Sequence, residues 1–394
     1  MELIEKYQKQ LLDQTQLIYR ETPISPATQQ AYLATPRHRF VKRYREWATT
    51  EWREVTAQNL EEHLATLYAD RPLILFGDND QDVGSTISQP SFVLHMLDML
   101  QIAPGQNIFE LGTGSGWNAA LMGNLVGPQG TIHSLEIIPQ VAQTAAATLA
   151  ELGISNVRVI EGDGGQGWLA GAPYDRAIFS AGAYDLPHFF FEQIRVGGLL
   201  LVVIKSEGGG DSLFLLRKAA DHFESLDSQQ CAFVQMKGSN HLDSLDPIQL
   251  ESLPEWQELK EQPVGKRAFW WGTKGKDGFL WQTLGIRSFL IISEPRFQAF
   301  KTVRPDQPGP DEYFFGLWDR EQHSLVLAKD DALLSYGNSL AEECLLKDVE
   351  RWVRLGMPGA ASLALKIYPL DVPLSAAADQ WIVRRRESQF LWSL

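Results

Sequence analysis

The chain has 394 residues, a formal net charge of −14 and 44% hydrophobic residues. That is room for more than one globular domain, and the negative balance argues against nucleic acid or an anionic membrane surface as the main partner. The two cysteines, Cys231 and Cys344, sit in no C-x-x-C and the eight histidines are scattered, so no disulfide framework and no metal site is expected.

The opening MELIEKYQKQLLDQTQ is polar and reads as neither a signal peptide nor a membrane span, so a cytoplasmic setting without a membrane partner is expected. Residues 1–80 read as helices and loops, with Ser25-Pro26 as N-cap and first helical position of ATQQAYLA. From about Ser91 the pattern turns α/β. SFVLHMLDMLQI reads as an amphipathic helix ending before Pro104-Gly105, NIFEL as a short strand, and WNAALMGNLV as a helix closed by Gly127-Pro128. GTIHSLEI is the next strand, and PQVAQTAAATLAELG the next helix, from Pro139 to Gly153. NVRVIEG and YDRAIFSAG are two more strands. This alternation predicts a mostly parallel sheet with crossover helices. LLLVVI and DSLFLLRK flank Gly208-Gly209-Gly210 closely enough for a hairpin, which predicts an antiparallel edge strand.

After about residue 240 the rhythm changes. The polar, proline-marked stretch 241–262 reads as a linker between a domain over 1–240 and an α+β accessory domain over 263–394. GFLWQTL, SFLIIS, FFGLWDR and HSLVLA read as strands, SLAEECLLKDVERWVRLG as an amphipathic helix ended by Gly356, and QWIVRRRESQFLW as a final strand or hairpin. Eight of the 12 tryptophans lie from Trp256 onward. Most are expected to fill that domain's own core, with an aromatic surface left to dock part of a substrate. Arg384-Arg385-Arg386 reads as a solvated charge run.

The candidate site begins in NIFELGTGSGWNAALMG. A dinucleotide fold asks for G-x-G-x-x-G. Here Trp117 stands where that third glycine belongs, and the spacing is G-x-G-x-G over Gly112, Gly114 and Gly116, with Glu110 two residues ahead. This loop, with Thr113 and Ser115 between its glycines, has the form that binds S-adenosylmethionine (SAM) in Rossmann-like methyltransferases. Glu136, before Ile137, ends the second strand, where a carboxylate can accept both ribose hydroxyls of an adenosine. Asp163, between Gly162 and Gly164 after the third strand, can accept from an adenine amino group. Each alone reads equally as a strand-end turn. Three at the carboxyl ends of successive strands, where open α/β sheets bind ligands, favour the ligand reading.

ATPRHRFV, YADRPLILFG, STISQPSFVLHMLDML, ELGTGSGWNAAL and EGDGGQGWLAGAPYDRAIFSAGA occur in that order. Over roughly residues 25–220 they resemble the protein-L-isoaspartate O-methyltransferase family, most specifically at Thr86-Ile87-Ser88-Gln89-Pro90. The resemblance implies a Rossmann-like fold, SAM as methyl donor, S-adenosyl-L-homocysteine as product, and a peptide or protein substrate whose isoaspartyl carboxylate is esterified. The ester then closes to a succinimide that hydrolyses to aspartate or isoaspartate. It also implies that Ser88 contacts the substrate carboxylate and that Thr86, Ile87 and Gln89 shape its pocket. Ser180, Ala181, Gly182 and Ala183 would meet the substrate backbone. The competing reading of Ser88 is a helix N-cap, and of residues 180–183 a strand-end turn. Arg37 and His38 are assigned to a structural turn. A carboxylate with a pKa of about 4 is ionised at neutral pH and needs no general base, so the lack of a catalytic His or Cys fits this chemistry.

The departures bear on specificity. Where compact family members end soon after a segment like FVPL, this chain reads CAFVQMKG, loses the proline and continues for more than 150 residues. FGDNDQDVGSTIS adds Asp78, Asp80 and Asp82 near the expected entrance, which disfavours acidic peptides. FFGLWDREQHSLVLA and WIVRRRES look similar to extended relatives that methylate an aspartate of a ribosomal precursor peptide on the way to an aspartimide. Isoaspartate repair, dedicated peptide maturation and a non-catalytic SAM-binding or protein-binding module therefore stand as alternatives. Ser88 and the intact acids weigh against the last.

Overall fold

The runs read as strands between Asn107 and Ile204 all form them: β1 (Asn107–Leu111), β2 (Thr131–Glu136), β3 (Val157–Glu161), β4 (Tyr174–Phe179) and β5 (Ile194–Ile204). They lie parallel in the order β3-β2-β1-β4-β5. Helices Trp117–Val126 and Pro139–Glu151 make the crossovers from β1 to β2 and from β2 to β3. The strand order reverses between β1 and β4, and such a switch point opens a crevice at the strands' carboxyl ends. The computed structural model describes residues 2–47, 49–77, 83–269, 278–302, 312–329 and 332–394; at 278–284, 302, 312 and 313 the description covers the backbone alone.

β6 (Asp211–Lys218) returns antiparallel along β5, with Ser212 opposite Ile204, and so forms the predicted hairpin. It is the first of five antiparallel strands. β7 (Phe223–Cys231), β8 (Ala364–Pro369), β9 (Gln380–Arg384) and β10 (Ser388–Ser393) follow, and the sheet reaches ten strands in the order β9-β10-β8-β7-β6-β5-β4-β1-β2-β3.

β5 has two apolar faces, as a strand does when both sides of its sheet are covered. Leu199, Leu201 and Val203 pack into a cluster with Leu11, Tyr32, Leu94 and Trp117, largely from the N-terminal helices. The N-cap reading holds there: the Ser25 hydroxyl accepts from Thr28 N at 3.3 Å at the start of helix Pro26–Ala34. Leu200, Val202 and Ile204 pack the other way, into a cluster with Phe289, Leu317, Val326, Trp352 and Phe390. The chain beyond residue 240 supplies most of that second cover.

The cover is built on a six-stranded sheet in the order Ile248–Gln249, Phe297–Thr302, Glu312–Asp319, Ser324–Lys329, Ala332–Tyr336 and Pro263–Ala268. Helix Leu340–Arg354 follows it. The stretch expected as a linker contributes strand Ile248–Gln249 and helix Pro254–Leu259, and buries Leu250 and Leu259. The unit expected over 263–394 is shared between the sheets, since everything from Ala364 joins the larger one. GFLWQTL and SFLIIS are not strands but parts of one helix, Gly278–Ser293. Short apolar runs do not distinguish strand from buried helix by period, and 16 continuous residues suit a helix. Trp318, Trp352, Trp381 and Trp392 are buried. Among the described residues, no helix is long and apolar enough to cross a membrane.

The basic run divides by position. Arg384 and Arg386 are exposed, whereas the Arg385 guanidinium stacks against Tyr184 at 4.4 Å and Phe390 at 4.1 Å. The β9–β10 turn thereby docks on the loop that follows β4. Asp185, buried there, accepts from Glu387 N at 2.6 Å, from Leu186 N at 2.8 Å and from the Ser388 hydroxyl. Asp185→Ala leaves these donors buried without an acceptor and is expected to destabilise the fold by about 1–3 kcal/mol. Urea denaturation measures this; an unchanged midpoint would show that Asp185 does not hold the turn.

Candidate active site

Gly112, Gly114 and Gly116 all adopt left-handed backbone, with φ of +88°, +53° and +82°. That is why the loop alternates glycine with other residues. Their neighbours differ. A Cβ on Gly114 would lie 3.2 Å from the Thr86 carbonyl, so this glycine admits the Ser85–Ser88 segment. A Cβ on Gly116 would lie 3.3 Å from Ala145 Cβ, so this one brings its helix against Pro139–Glu151. Gly112, Thr113, Gly114 and Ser115 line a pocket at the switch point, together with Glu136, Ile137, Asp163, Gly164, Ser180 and Ala181. Thr86, Ile87 and Ser88 close its other side. Glu110, Gly116, Gly162, Gly182 and Ala183 are not on its wall.

The three acids have different surroundings. Glu110 is fully buried, accepting from Asn118 Nδ2 at 2.6 Å and from Ser134 Oγ at 2.5 Å. Burial pushes its carboxyl up to about 7, against the lowering effect of those bonds. Glu136 accepts from Gly114 N at 2.9 Å and Ile138 N at 3.1 Å, so it pins the glycine loop. Burial raises its pKa too, opposed by these backbone N–H groups and by Lys237 on the pocket wall. Asp163 accepts from Gly165 N through Oδ1 and from the Ser239 N–H and hydroxyl through Oδ2, at 2.9, 2.8 and 2.7 Å. It therefore ties the segment after β7 to the end of β3.

A second, outer cleft of about 750 Å³ meets this pocket at Thr86, Ser88, Ser180 and Val234. Its walls include Trp47, Pro72, Val83, Phe92 and Phe233, with Gln89 at its edge and, among the described residues, no charged side chain. Asp78, Asp80 and Asp82 lie outside the described residues. Among the described residues the Ser88 hydroxyl has no hydrogen-bond partner. It does not cap the following helix: Gln89 occupies the N-cap position of Pro90–Met99 and makes no side-chain cap bond. The helix start is held instead by Asp70, which accepts from Ser91 N at 2.9 Å and Ser91 Oγ at 2.7 Å. Gly182 and Ala183 are engaged through their backbones. Gly182 N donates to Val234 O at 2.7 Å, and Ala183 N to Val203 O at 2.8 Å.

Two contributors were read in the sequence without being assigned to the site. Arg37, fully buried, donates through Nη1 to the Ser88 carbonyl at 2.6 Å and through Nη2 to the Arg71 carbonyl at 3.2 Å, with Trp117 beneath it at 5.1 Å. Burial lowers its pKa to about 9, so it stays charged at neutral pH. Val234–Lys237, after β7, walls the inner pocket; the only signal for it is its departure from the family pattern. Among the described residues, no group of three or more His, Cys, Asp or Glu side chains could hold a metal ion.

The raised Glu110 has a consequence for stability. A carboxyl whose folded pKa exceeds its unfolded value of about 4.3 takes up protons on folding, so its contribution is full below that value and is lost as pH rises towards 7. The ligand-free protein is therefore expected to lose melting temperature between pH 5 and pH 8 relative to Glu110→Gln. Parallel melting profiles for the two proteins would count against an elevated Glu110.

Comparison with known proteins agrees with this geometry. A protein-L-isoaspartate O-methyltransferase of Ignicoccus hospitalis is 36% identical over 174 residues, which is 44% of this chain and 79% of that protein. One of Protochlamydia amoebophila is 37% identical over 183 residues, 45% of this chain and 82% of that protein. A solved structure of a protein-L-isoaspartate O-methyltransferase superposes with a TM-score of 0.54, covering 91% of this chain and 96% of that one at 20% identity, which shows a shared fold. The family model of protein-L-isoaspartate(D-aspartate) O-methyltransferase matches residues 7–241, and the chain belongs to that family.

Proposed function

We propose that this protein transfers the methyl group of SAM to the free carboxylate of isoaspartyl residues in peptides or proteins. The observation that carries the reading is the meeting of two clefts at Thr86, Ser88, Ser180 and Val234: one built of glycines and strand-end acids, the other apolar. SAM supplies an electrophilic methyl on a positively charged sulfur. The pocket suits it. A carboxylate offers about four acceptor sites. Glu136 uses one on each oxygen for backbone and keeps the others for ribose hydroxyls. Asp163 Oδ1, which among the described residues accepts only from Gly165 N, retains room for an adenine amino group. Ile137 and Gly164 flank these acids.

The substrate carboxylate is already ionised, so this chain has no proton to remove. Its task is alignment and exclusion of water. Ser88, whose hydroxyl has no partner among the described residues, donates to the carboxylate oxygen that does not attack. A bond to the attacking oxygen would weaken as its charge is lost, so gripping the other one favours the transition state. Arg37 fixes the Ser88 backbone through its carbonyl and acts as a positioning residue. Phe92, Phe233 and Val234 keep the outer cleft apolar around the ester that forms.

The test is methyl transfer from labelled SAM to matched aspartyl and isoaspartyl peptides. Label on the isoaspartyl peptide alone is expected. Label on the aspartyl peptide alone would favour precursor maturation, and SAM binding without turnover would leave a binding module. Glu136→Ala removes an acceptor of charge-assisted bonds worth about 1.5–3 kcal/mol, so SAM affinity in calorimetry is expected to fall about tenfold to 100-fold. Unchanged affinity would sink that assignment. Ser88→Ala is expected to fold and bind SAM but lose most of kcat. Turnover at the parent rate would remove Ser88 from the reaction.

A further inference from the structure

Away from this site, a cavity of about 40 Å³ lies where the β5–β6 turn, helix Gly278–Ser293 and the β9–β10 turn meet. One ordered water needs about 10–15 Å³, so the space suits a few oxygen atoms. Two guanidinium groups, Arg287 and Arg385, line it, and among the described residues no carboxylate does, in a chain whose net charge is −14. Ser206, Ser212, Ser288 and Gln230 add polar side chains to its lining, with Gln230 Nε2 donating to Ser212 Oγ at 2.9 Å.

Both guanidinium groups lie over aromatic rings. Arg385 lies between Tyr184 and Phe390, and Arg287 lies 4.4 Å from Phe315. That leaves the in-plane N–H groups for a ligand. Arg385 Nη1 donates to the Lys205 carbonyl at 3.3 Å, and its buried Nε has no partner among the described residues. The nearby acids are committed elsewhere. Asp185 holds the β9–β10 turn. Asp211 pairs with Lys205 Nζ at 2.6 Å and accepts from Phe233 N at 2.9 Å. Glu207 accepts from Ser244 Oγ at 3.1 Å. Gly210, with φ +98°, leaves room for the Arg287 guanidinium, since a Cβ there would fall 2.4 Å from Nη2.

We propose that this cavity is a binding site for a small inorganic oxyanion of the phosphate or sulfate type, held by the in-plane N–H groups of Arg287 and Arg385. The site is independent of the catalytic reading. Its ligand would join the helix of the second cover, the β5–β6 hairpin and the C-terminal turn that braces the loop after β4. An anion that binds the folded state and not the unfolded one raises the melting temperature by mass action.

The experiment melts the full-length protein at constant ionic strength in graded inorganic phosphate, sulfate or chloride, with calorimetric titration of phosphate alongside. Phosphate and sulfate are expected to raise the melting temperature with saturation, and chloride to leave it unchanged. Titration should give one site. Arg287→Gln and Arg385→Gln should each lose both the shift and the site, while Arg217→Gln, at an exposed pair with Glu224, should keep both. If Arg385→Gln does not fold, Arg287→Gln and the parent titration still decide. An equal effect of all three anions, no saturable binding to the parent protein, or phosphate binding retained in Arg287→Gln would overturn the proposal.

Discussion

The double-sided burial of β5 is the constraint on which the rest of the molecule depends. Leu200, Val202, Ile204, Phe214 and Leu216 on one face of the β5–β6 hairpin are all buried by the part of the chain that follows the catalytic half. Burying one such side chain contributes about 1.5–3 kcal/mol, so five of them reach the order of the whole stability of a domain. The C-terminal region is therefore an integral cover. The first of its last three strands, β8, also pairs with the start of β7, Phe223 opposite Ile367 and Glu224 opposite Lys366.

The same strand shapes the candidate site. Past its end, Lys205 N donates to the Ala183 carbonyl at 2.9 Å, while Ala183 N donates back to Val203. This exchange sets where β4 releases the chain, and hence where Ser180 and Ala181 stand on the pocket wall. The Val234–Met236 segment is locked to the same point through both polar groups of Gly182. Gly182 and Ala183 thus serve the site through backbone pairing beneath it, and the residues exposed to a ligand are the two before them.

What the sequence made legible was local. Apolar runs punctuated by Gly and Pro located β1 to β6 and their crossover helices, because strand and helix periods are properties of adjacent residues. The three glycines announced a loop with positive φ, though only the fold separates Gly114, which admits Thr86, from Gly116, which packs on Ala145. What stayed hidden was set by distant partners. Arg37 looks like any arginine in a turn until the Ser88 carbonyl, 51 positions away, is placed against it. Arg385 reads as one of three solvated cations until two rings enclose it. The helix over Gly278–Ser293 was missed for another reason: its sequence has no dominant helical period, and without one an apolar run does not announce a helix.

The placement of charge gives the two clefts their division of labour. The strand-end acids Glu136 and Asp163 both stand on the inner pocket, whereas the described outer cleft has none. On the proposed chemistry, a positively charged donor lies among carboxylates, and a negatively charged nucleophile lies in an uncharged, apolar space. Neutralising the two in the transition state removes charge from the low-dielectric side, where charge is most costly. A lysine in the outer cleft would hold the substrate carboxylate more tightly, but it would stabilise the ground state more than the transition state and slow transfer. On that reading an uncharged serine hydroxyl avoids the penalty: it would orient the carboxylate through one donor that carries no full charge and leave the attacking oxygen reactive.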